Sequence, residues 1–244
     1  MDTGEFKHTG VKQGIEEHGF SVLGNVFTKP EVELLIESVS KIEREEGVRS
    51  RGGVYAIRNL LHLSPVVREL AYSTRVRSIV EEILEDDFLA VRATLFDKTA
   101  GANWLVPWHQ DLTVCVDGRL DVPGYGPWTM KAGVWNVQPP ASILERMLSL
   151  RIHLDDCEES NGALRVLAGT HRVGRLNAAG IAEQQRTAAA VSCIVGAGGV
   201  VLMRPLLIHA SSAASKATHR RVIHVDYTSC SLDGGLRWAT TSTE

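Results

Sequence analysis

Apolar positions in the first third of the chain recur at helical spacing. Behind Thr28-Lys29-Pro30-Glu31 come Leu34, Leu35, Ile36, Val39 and Ile42, the recurrence of one helix face. Thr28 reads as the N-cap, Pro30 as a first-turn proline and Glu31 as an acid on the positive end of the helix dipole. Ser64-Pro65 and Ser73-Thr74 open two further short helices, the second with Val76, Ile79, Val80, Ile83 and Leu84 along one side. From Phe88 the texture changes to strands: FLAVRATLFDK, VPWHQDLTV, LSLRIHLDD, ALRVLAG, VVLMRPLLIHASS and RRVIHVDYTS, several of them bounded by Gly, Pro, Asn or Asp. The pattern predicts a single domain over 1–244, with a helical part over about 1–87 and a mostly β core over about 88–230, sheet packed on sheet with helices bracing one outer face.

One long interruption, over about 115–146, breaks the strand pattern. It carries Trp128 and Trp135 among Gly124, Gly126, Pro127, Pro139 and Pro140. Loops of this length are as a rule functional or disordered, and aromatic content argues against disorder. The expectation is an ordered lid or wall beside a site, with Trp128 and Trp135 suited to an apolar or ring-bearing small molecule.

Composition narrows the partners. The chain has 244 residues, 44% of them hydrophobic and 23% charged, as a packed globular protein requires. A net charge of −3 offers no field for nucleic acid or an anionic membrane. Four scattered cysteines without a C-x-x-C pair argue against a zinc ribbon or redox motif. No leader and no apolar run long enough to cross a bilayer is read, which points to the cytoplasm with reduced thiols.

The candidate chemistry begins in VPWHQDLTV. On a pleated strand residues i and i+2 share a face, so His109 and Asp111 project to one side while Trp108 and Gln110 project to the other. An isolated pair of this kind is ordinarily a surface hydrogen bond. Fe(II) in oxygenases, however, is typically held by two histidines and one carboxylate, with other positions left open. His209 closes the apolar run LMRPLLIHASS, where a histidine needs a partner to be tolerated. It follows the first pair at a distance that lets the chain cross several strands and return, the connectivity of a double-stranded β-helix, or jelly roll. Eleven residues beyond His209 comes Arg220, and a guanidinium suits the distal carboxylate of a dicarboxylate cosubstrate. Alternation puts Arg220, Val222, His224 and Asp226 on one face and Arg221, Ile223, Val225 and Tyr227 on the other, and does not itself choose between the arginines.

The W-H-x-D segment at Trp108 to Asp111, the N-G-A-L-R-V-L-A-G-T-H segment from Asn161 to His171 and the terminal H-x10-R arrangement together resemble the phytanoyl-CoA dioxygenase family of Fe(II)- and 2-oxoglutarate-dependent oxygenases. The likeness extends from about Gly14 to Tyr227. It implies a cupin-like jelly roll, metal ligands at His109, Asp111 and His209, the cosubstrate arginine at Arg220 rather than Arg221, and a hydroxyl for 2-oxoglutarate at Ser211. It also implies the chemistry: O2 and 2-oxoglutarate are consumed, succinate and CO2 are released, and a small-molecule substrate is hydroxylated or desaturated. Related halogenases lack the carboxylate, so Asp111 favours oxygenation over halogenation.

Other polar residues take humbler readings. His153, His171, His219 and His224 are read as structural, and Lys98, in or beside a strand that could line the barrel and meet substrate or cosubstrate, takes surface solvation as its leading reading. Arg151, in a strand that could line the barrel, and Arg58 with Asn59, before a helix, are candidate substrate contacts. No clustered basic run exists to dock the phosphates of a CoA thioester. Two rival functions remain: a zinc hydrolase with the same ligands, which leaves Arg220 idle, and a non-catalytic jelly-roll binding module.

Overall fold

The computed structural model describes residues 10–42, 48–50, 54–215 and 219–240. The remaining residues, among them parts of the expected helical segment 1–87, lie outside the described ones. Its helices are α1 (Val11–His18), α2 (Lys29–Ser40), α3 (Leu60–Leu63), α4 (Pro65–Ala71), α5 (Thr74–Leu84), α6 (Ala141–Glu145) and α7 (Ala178–Thr187). The strands are β1 (Phe20–Leu23), β2 (Val48–Ser50), β3 (Val54–Ile57), β4 (Leu89–Lys98), β5 (Val106–His109), β6 (Val114–Val116), β7 (Trp128–Lys131), β8 (Val134–Val137), β9 (Met147–His153), β10 (Leu164–Leu167), β11 (Ala190–Cys193), β12 (Val200–Met203), β13 (His209–Ser211) and β14 (Arg220–Thr228).

Local chemistry sets the helix starts. The Glu31 carboxylate accepts from both the backbone N–H and the hydroxyl of Thr28, closing the first turn of α2. Ser64 and Ser73 each accept from a backbone N–H three residues on, opening α4 and α5. All five apolar residues expected along α5 are buried, whereas Leu34 of α2 is exposed, with Val32, Leu35 and Val39 forming its inner stripe.

The strands of the described residues form three antiparallel sheets. The large one runs β1-β12-β9-β14-β4-β3-β2, the second β11-β10-β13-β5, and the third β6-β8-β7. Between β4 and β14 the chain passes repeatedly from the large sheet to the second and back, which is the jelly-roll pattern. Alternation divides the large sheet into two chemistries. Leu148, Leu150 and Ile152 of β9 and Ile223, Val225 and Tyr227 of β14 join the core formed with Ile15, Leu35, Val67, Val76, Ile79 and Val80 of the helices. The intervening residues face inward, toward the second sheet. The helical part is therefore not separate from the barrel, because β1, β2 and β3 extend its large sheet.

Three expectations need correction. VPWHQDLTV is not one strand: β5 ends at His109, and pairing resumes at Val114 in the third sheet. The cause is Gln110, whose buried amide donates to Gly174 O and Leu206 O and accepts from Leu176 N–H, satisfying loop backbone instead of a ladder. VVLMRPLLIHASS also breaks, at Arg204-Pro205, into β12 and β13 of different sheets, since proline cannot donate to a ladder. Segment 115–146, finally, has structure of its own, contributing to the third sheet and forming α6. It shares a core with Leu232, Leu236 and Trp238, which carries the packed body beyond residue 230.

Candidate active site

The cavity between the large and second sheets measures ≈ 260 Å³ and receives His109, Asp111 and His209. β5 and β13 are neighbours, with His109 directly opposite His209. Their rings stand 4.2 Å apart, centroid to centroid. Asp111 reaches the pair from the turn after β5, where its backbone N–H donates to Pro205 O. Its carboxylate oxygens lie 3.8 Å from His109 Nε2 and 3.6 Å from His209 Nε2, and one ligand atom from each residue falls within 4.8 Å of the others.

Each ring's other nitrogen settles whether this donor set suits a metal. His109 Nδ1 donates to Pro107 O at 2.8 Å and His209 Nδ1 to Leu207 O at 2.9 Å. A carbonyl only accepts, so the proton of each neutral ring sits on Nδ1 and the Nε2 lone pair is free for coordination. Burial pushes the His209 imidazole below its ordinary range, which keeps it neutral. Burial also works against the Asp111 carboxylate, yet its pKa lies below the ordinary range; with the imidazoles neutral, Arg92 is the positive charge that holds it ionised. Two neutral imidazoles and one carboxylate, converging with room beside them, fit a divalent first-row metal.

A second group of polar side chains lies at the start of β14. Arg220, buried, donates through Nη1 to Gly162 O at 2.6 Å, while its Nε has no partner. Ser211 donates to the same carbonyl and accepts from Lys98 Nζ at 2.7 Å. The Asn161-Gly162 turn presents that carbonyl, and only glycine fits there. Its φ is +79°, and a Cβ would stand 2.4 Å from Ser212 O. Arg221 points to the other side of β14 and forks onto Asp155, with contacts of 2.9 and 2.6 Å. The choice that alternation left open thus falls on Arg220 as the residue facing the cavity.

A polar cluster completes the inner wall. Asp226 accepts from Arg92 Nε at 2.5 Å, Ser149 Oγ at 2.6 Å and His224 Nε2 at 2.8 Å. Burial opposes its charge, but Arg92 and His224 hold the carboxyl well below its ordinary range. Arg151 donates to His224 Nδ1 at 2.9 Å.

The cavity wall includes Arg58, Asn59 and Arg151 among the expected substrate contacts. Trp128 and Trp135 are not on it. They meet edge to face at 6.3 Å, with Arg119 over both rings, and pack against the core of the third sheet. From the same segment the wall receives Cys115, Lys131 and Asn136. Lys98 is not solvated but 1% exposed, and its burial and the nearby Arg220 lower its pKa to about 7. His224, read as merely structural, lines the cavity, as do Arg92 and Thr94 of β4. The available signal was alternation, which already put His224 on the face of Arg220. His153, His171 and His219 do stay off the wall, His219 pairing with Asp97.

Known proteins resemble the chain in sequence or in fold. The ectoine dioxygenase of Bordetella bronchiseptica is 25% identical over 169 residues, which cover 66% of this chain and 48% of that protein; the chain thus spans about half the length of this relative. EctD from S. alaskensis, solved with bound Fe, matches with a TM-score of 0.70 at 20% identity, over 91% of this chain and 77% of that one. The epimerase SnoN from nogalamycin biosynthesis, in complex with Fe3+, alpha ketoglutarate and nogalamycin RO, matches with a TM-score of 0.69 at 16% identity, over 89% and 82%. At such identities the two structures establish the fold. Sequence carries the assignment further, because residues 15–222, from α1 into β14, match the phytanoyl-CoA dioxygenase family, and it is to this family that the chain belongs.

Proposed function

We propose that the protein is an Fe(II)- and 2-oxoglutarate-dependent oxygenase acting on a small organic molecule. The observation that carries this reading is the combination, in one cavity, of a converging His109, Asp111 and His209 donor set with the buried guanidinium of Arg220 beside Ser211. His109, Asp111 and His209 would hold the iron, and Arg220 with Ser211 would take the distal carboxylate of 2-oxoglutarate. When bound, iron and cosubstrate supply the oxidation, consuming O2 and releasing succinate and CO2. The chain's own residues do the rest. The Nδ1 bonds of His109 and His209 fix both rings, Asp111 retains the carboxylate that favours oxygenation over halogenation, and the two sheets shelter the reacting atoms from water. A zinc hydrolase would give Arg220 and Ser211 no task, and a binding module would need no free Nε2 lone pairs. The four free cysteines fit a reducing cytoplasm. Among the described residues no helix is long and apolar enough to cross a membrane, and neither membrane nor nucleic acid is a proposed partner.

Anaerobic titration tests the metal ligands. Wild type should bind Fe(II) tightly, and His109→Ala and His209→Ala should each lose that binding while keeping the wild-type circular dichroism spectrum. Unchanged iron affinity in both variants would remove the metal centre. Succinate released from 2-oxoglutarate only when iron is present is the second expected result; metal-dependent hydrolysis without it would favour the zinc reading.

A further inference from the structure

Of the arginines lining the cavity, the three on the strands of the large sheet, Arg92, Arg151 and Arg220, are not neutralised alike. Arg92 bonds directly to Asp226. Arg220 stands with Ser211 where the proposed function puts the distal carboxylate of the cosubstrate. Arg151, on β9, has neither arrangement. It is 7% exposed, its hydrogen bond runs from Nη1 to His224 Nδ1, and its Nε is buried with no partner. Because an arginine only donates, His224 accepts through Nδ1, and a neutral ring then carries its proton on Nε2, which it donates to Asp226. The imidazole is a neutral spacer. One carboxylate, Asp226, therefore backs two guanidiniums, and Arg92 holds the direct contact.

Filling the site does not remove the imbalance. The metal brings two positive charges, Asp111 one negative, and 2-oxoglutarate two negative. Asp226 answers Arg92, and what remains uncompensated among the groups around Arg151 and Arg220 is one positive charge. Among the described residues the carboxylate that favours the charge on Arg151 is Asp111, and it is committed to the metal. Burial and the like charge of Arg220 lower Arg151 to about 10, so it stays charged at neutral pH. A buried guanidinium without an anion is costly. Phe96 and Leu164 meanwhile offer apolar wall for a carbon skeleton in the same cavity.

We propose that the substrate is a carboxylic acid whose carboxylate docks on Arg151, which His224 and Asp226 hold in place. This rests on the oxygenase reading and adds its substrate class. The planar fork of Arg151 suits a carboxylate, and an acid docked there lies beside the metal ligands, within the same cavity.

The test uses full-length protein loaded with Zn(II) in place of iron and saturated with 2-oxoglutarate, so that no turnover occurs and Arg220 is already engaged. The probes are para-fluorobenzoate and its neutral isostere para-fluorobenzamide, followed by fluorine NMR. Wild type should bind the acid at least about tenfold more tightly than the amide, the scale of a charge-assisted hydrogen bond. Arg151→Gln should erase that preference, and Arg151→Lys should keep part of it. Calorimetry should show 2-oxoglutarate affinity unchanged in Arg151→Gln. Equal binding of acid and amide by wild type, or binding of neither, overturns the proposal without any variant having to fold. A tenfold loss of 2-oxoglutarate affinity in Arg151→Gln also overturns it, by giving the guanidinium to the cosubstrate. Failure of the oxygenase reading looks different, since wild type would then not bind 2-oxoglutarate in a metal-dependent way.

Discussion

Arg220 and Arg221 are consecutive on one strand, and the pleat sends them to different partners. Arg221 meets Asp155 in a forked ion pair on the outside of β14, whereas Arg220 enters the cavity and donates to the Gly162 carbonyl. Arg220→Ala should therefore raise the 2-oxoglutarate requirement by about 1.5–3 kcal/mol, roughly ten- to a hundredfold, the range for a hydrogen bond to a charged group. Arg221→Ala should leave that requirement unchanged and lower the melting temperature, because it strips Asp155 of its partner. Calorimetric titration of both variants decides, and the reverse ranking would put Arg221 at the site. Alternation in the sequence could sort the two arginines onto faces but could not say which face was interior. In a barrel that encloses a polar cavity, an inward face carrying Arg, His and Asp has the composition of a solvated one. Lys98 was misread for that reason, and His224 was undervalued for the same one.

At the scale of elements, what was legible followed from how local the signal is. Caps and apolar spacing located α2, α4 and α5 because the chemistry of a helix start lies within four residues. Which faces of β9 and β14 point outward was not plain in the sequence, and the structure shows that their apolar faces cover the helix layer. Ile79 of α5 is fully buried in that layer. Ile79→Ala should cost about 2–5 kcal/mol of stability, measured by urea unfolding, with iron affinity preserved; a loss below 1 kcal/mol would mean that the helix does not brace the sheet. The break at Gln110 was not legible, because it depends on loop backbone brought from Gly174, Leu176 and Leu206. The break at Arg204-Pro205 carried a signal in its proline, but the division of the two halves between different sheets did not. The same limit applies to segment 115–146, whose aromatic residues signalled order but not orientation. β8 places Asn136 on the cavity wall while its neighbour Trp135 packs with Trp128. Trp135→Ala should accordingly lower the melting temperature and leave Fe(II) and 2-oxoglutarate binding unchanged in titration; a clear loss of either affinity would return the ring to the site.

For the whole molecule, the buried ionisable groups combine into one pH dependence. Lys98, lowered to about 7 from its ordinary 10.5 by burial and then by Arg220, is less protonated in the folded chain than in the unfolded chain between those values. Unfolding there takes up a proton, so stability rises as pH increases from about 7 toward 10. His153, with both ring nitrogens buried and unpartnered, is pushed well below its ordinary 6.5 by burial and then by Arg151. The unfolded histidine gains a proton below about 6.5 that the folded one refuses, so stability falls as pH drops through that value. Asp226 acts in the same direction further down. Its depressed carboxyl contributes stability that is present above about 3.9, the unfolded value, and is lost on acidification. Cys193 and Tyr227 set the upper limit, because burial raises the thiol to about 12 and the phenol well above 10, so both ionise more readily in the unfolded chain as the solution turns alkaline. The three lower-titrating groups thus favour the alkaline side of neutrality. The melting temperature of the metal-free protein should climb from pH 5 to pH 9, and Lys98→Met should flatten the climb between 7 and 9 while leaving the acid limb in place. A stability maximum at or below pH 7 in wild type, or an unaltered alkaline limb in the variant, would show that Lys98 keeps its proton in the folded chain and that the wall around Arg220 is more highly charged than its burial implies.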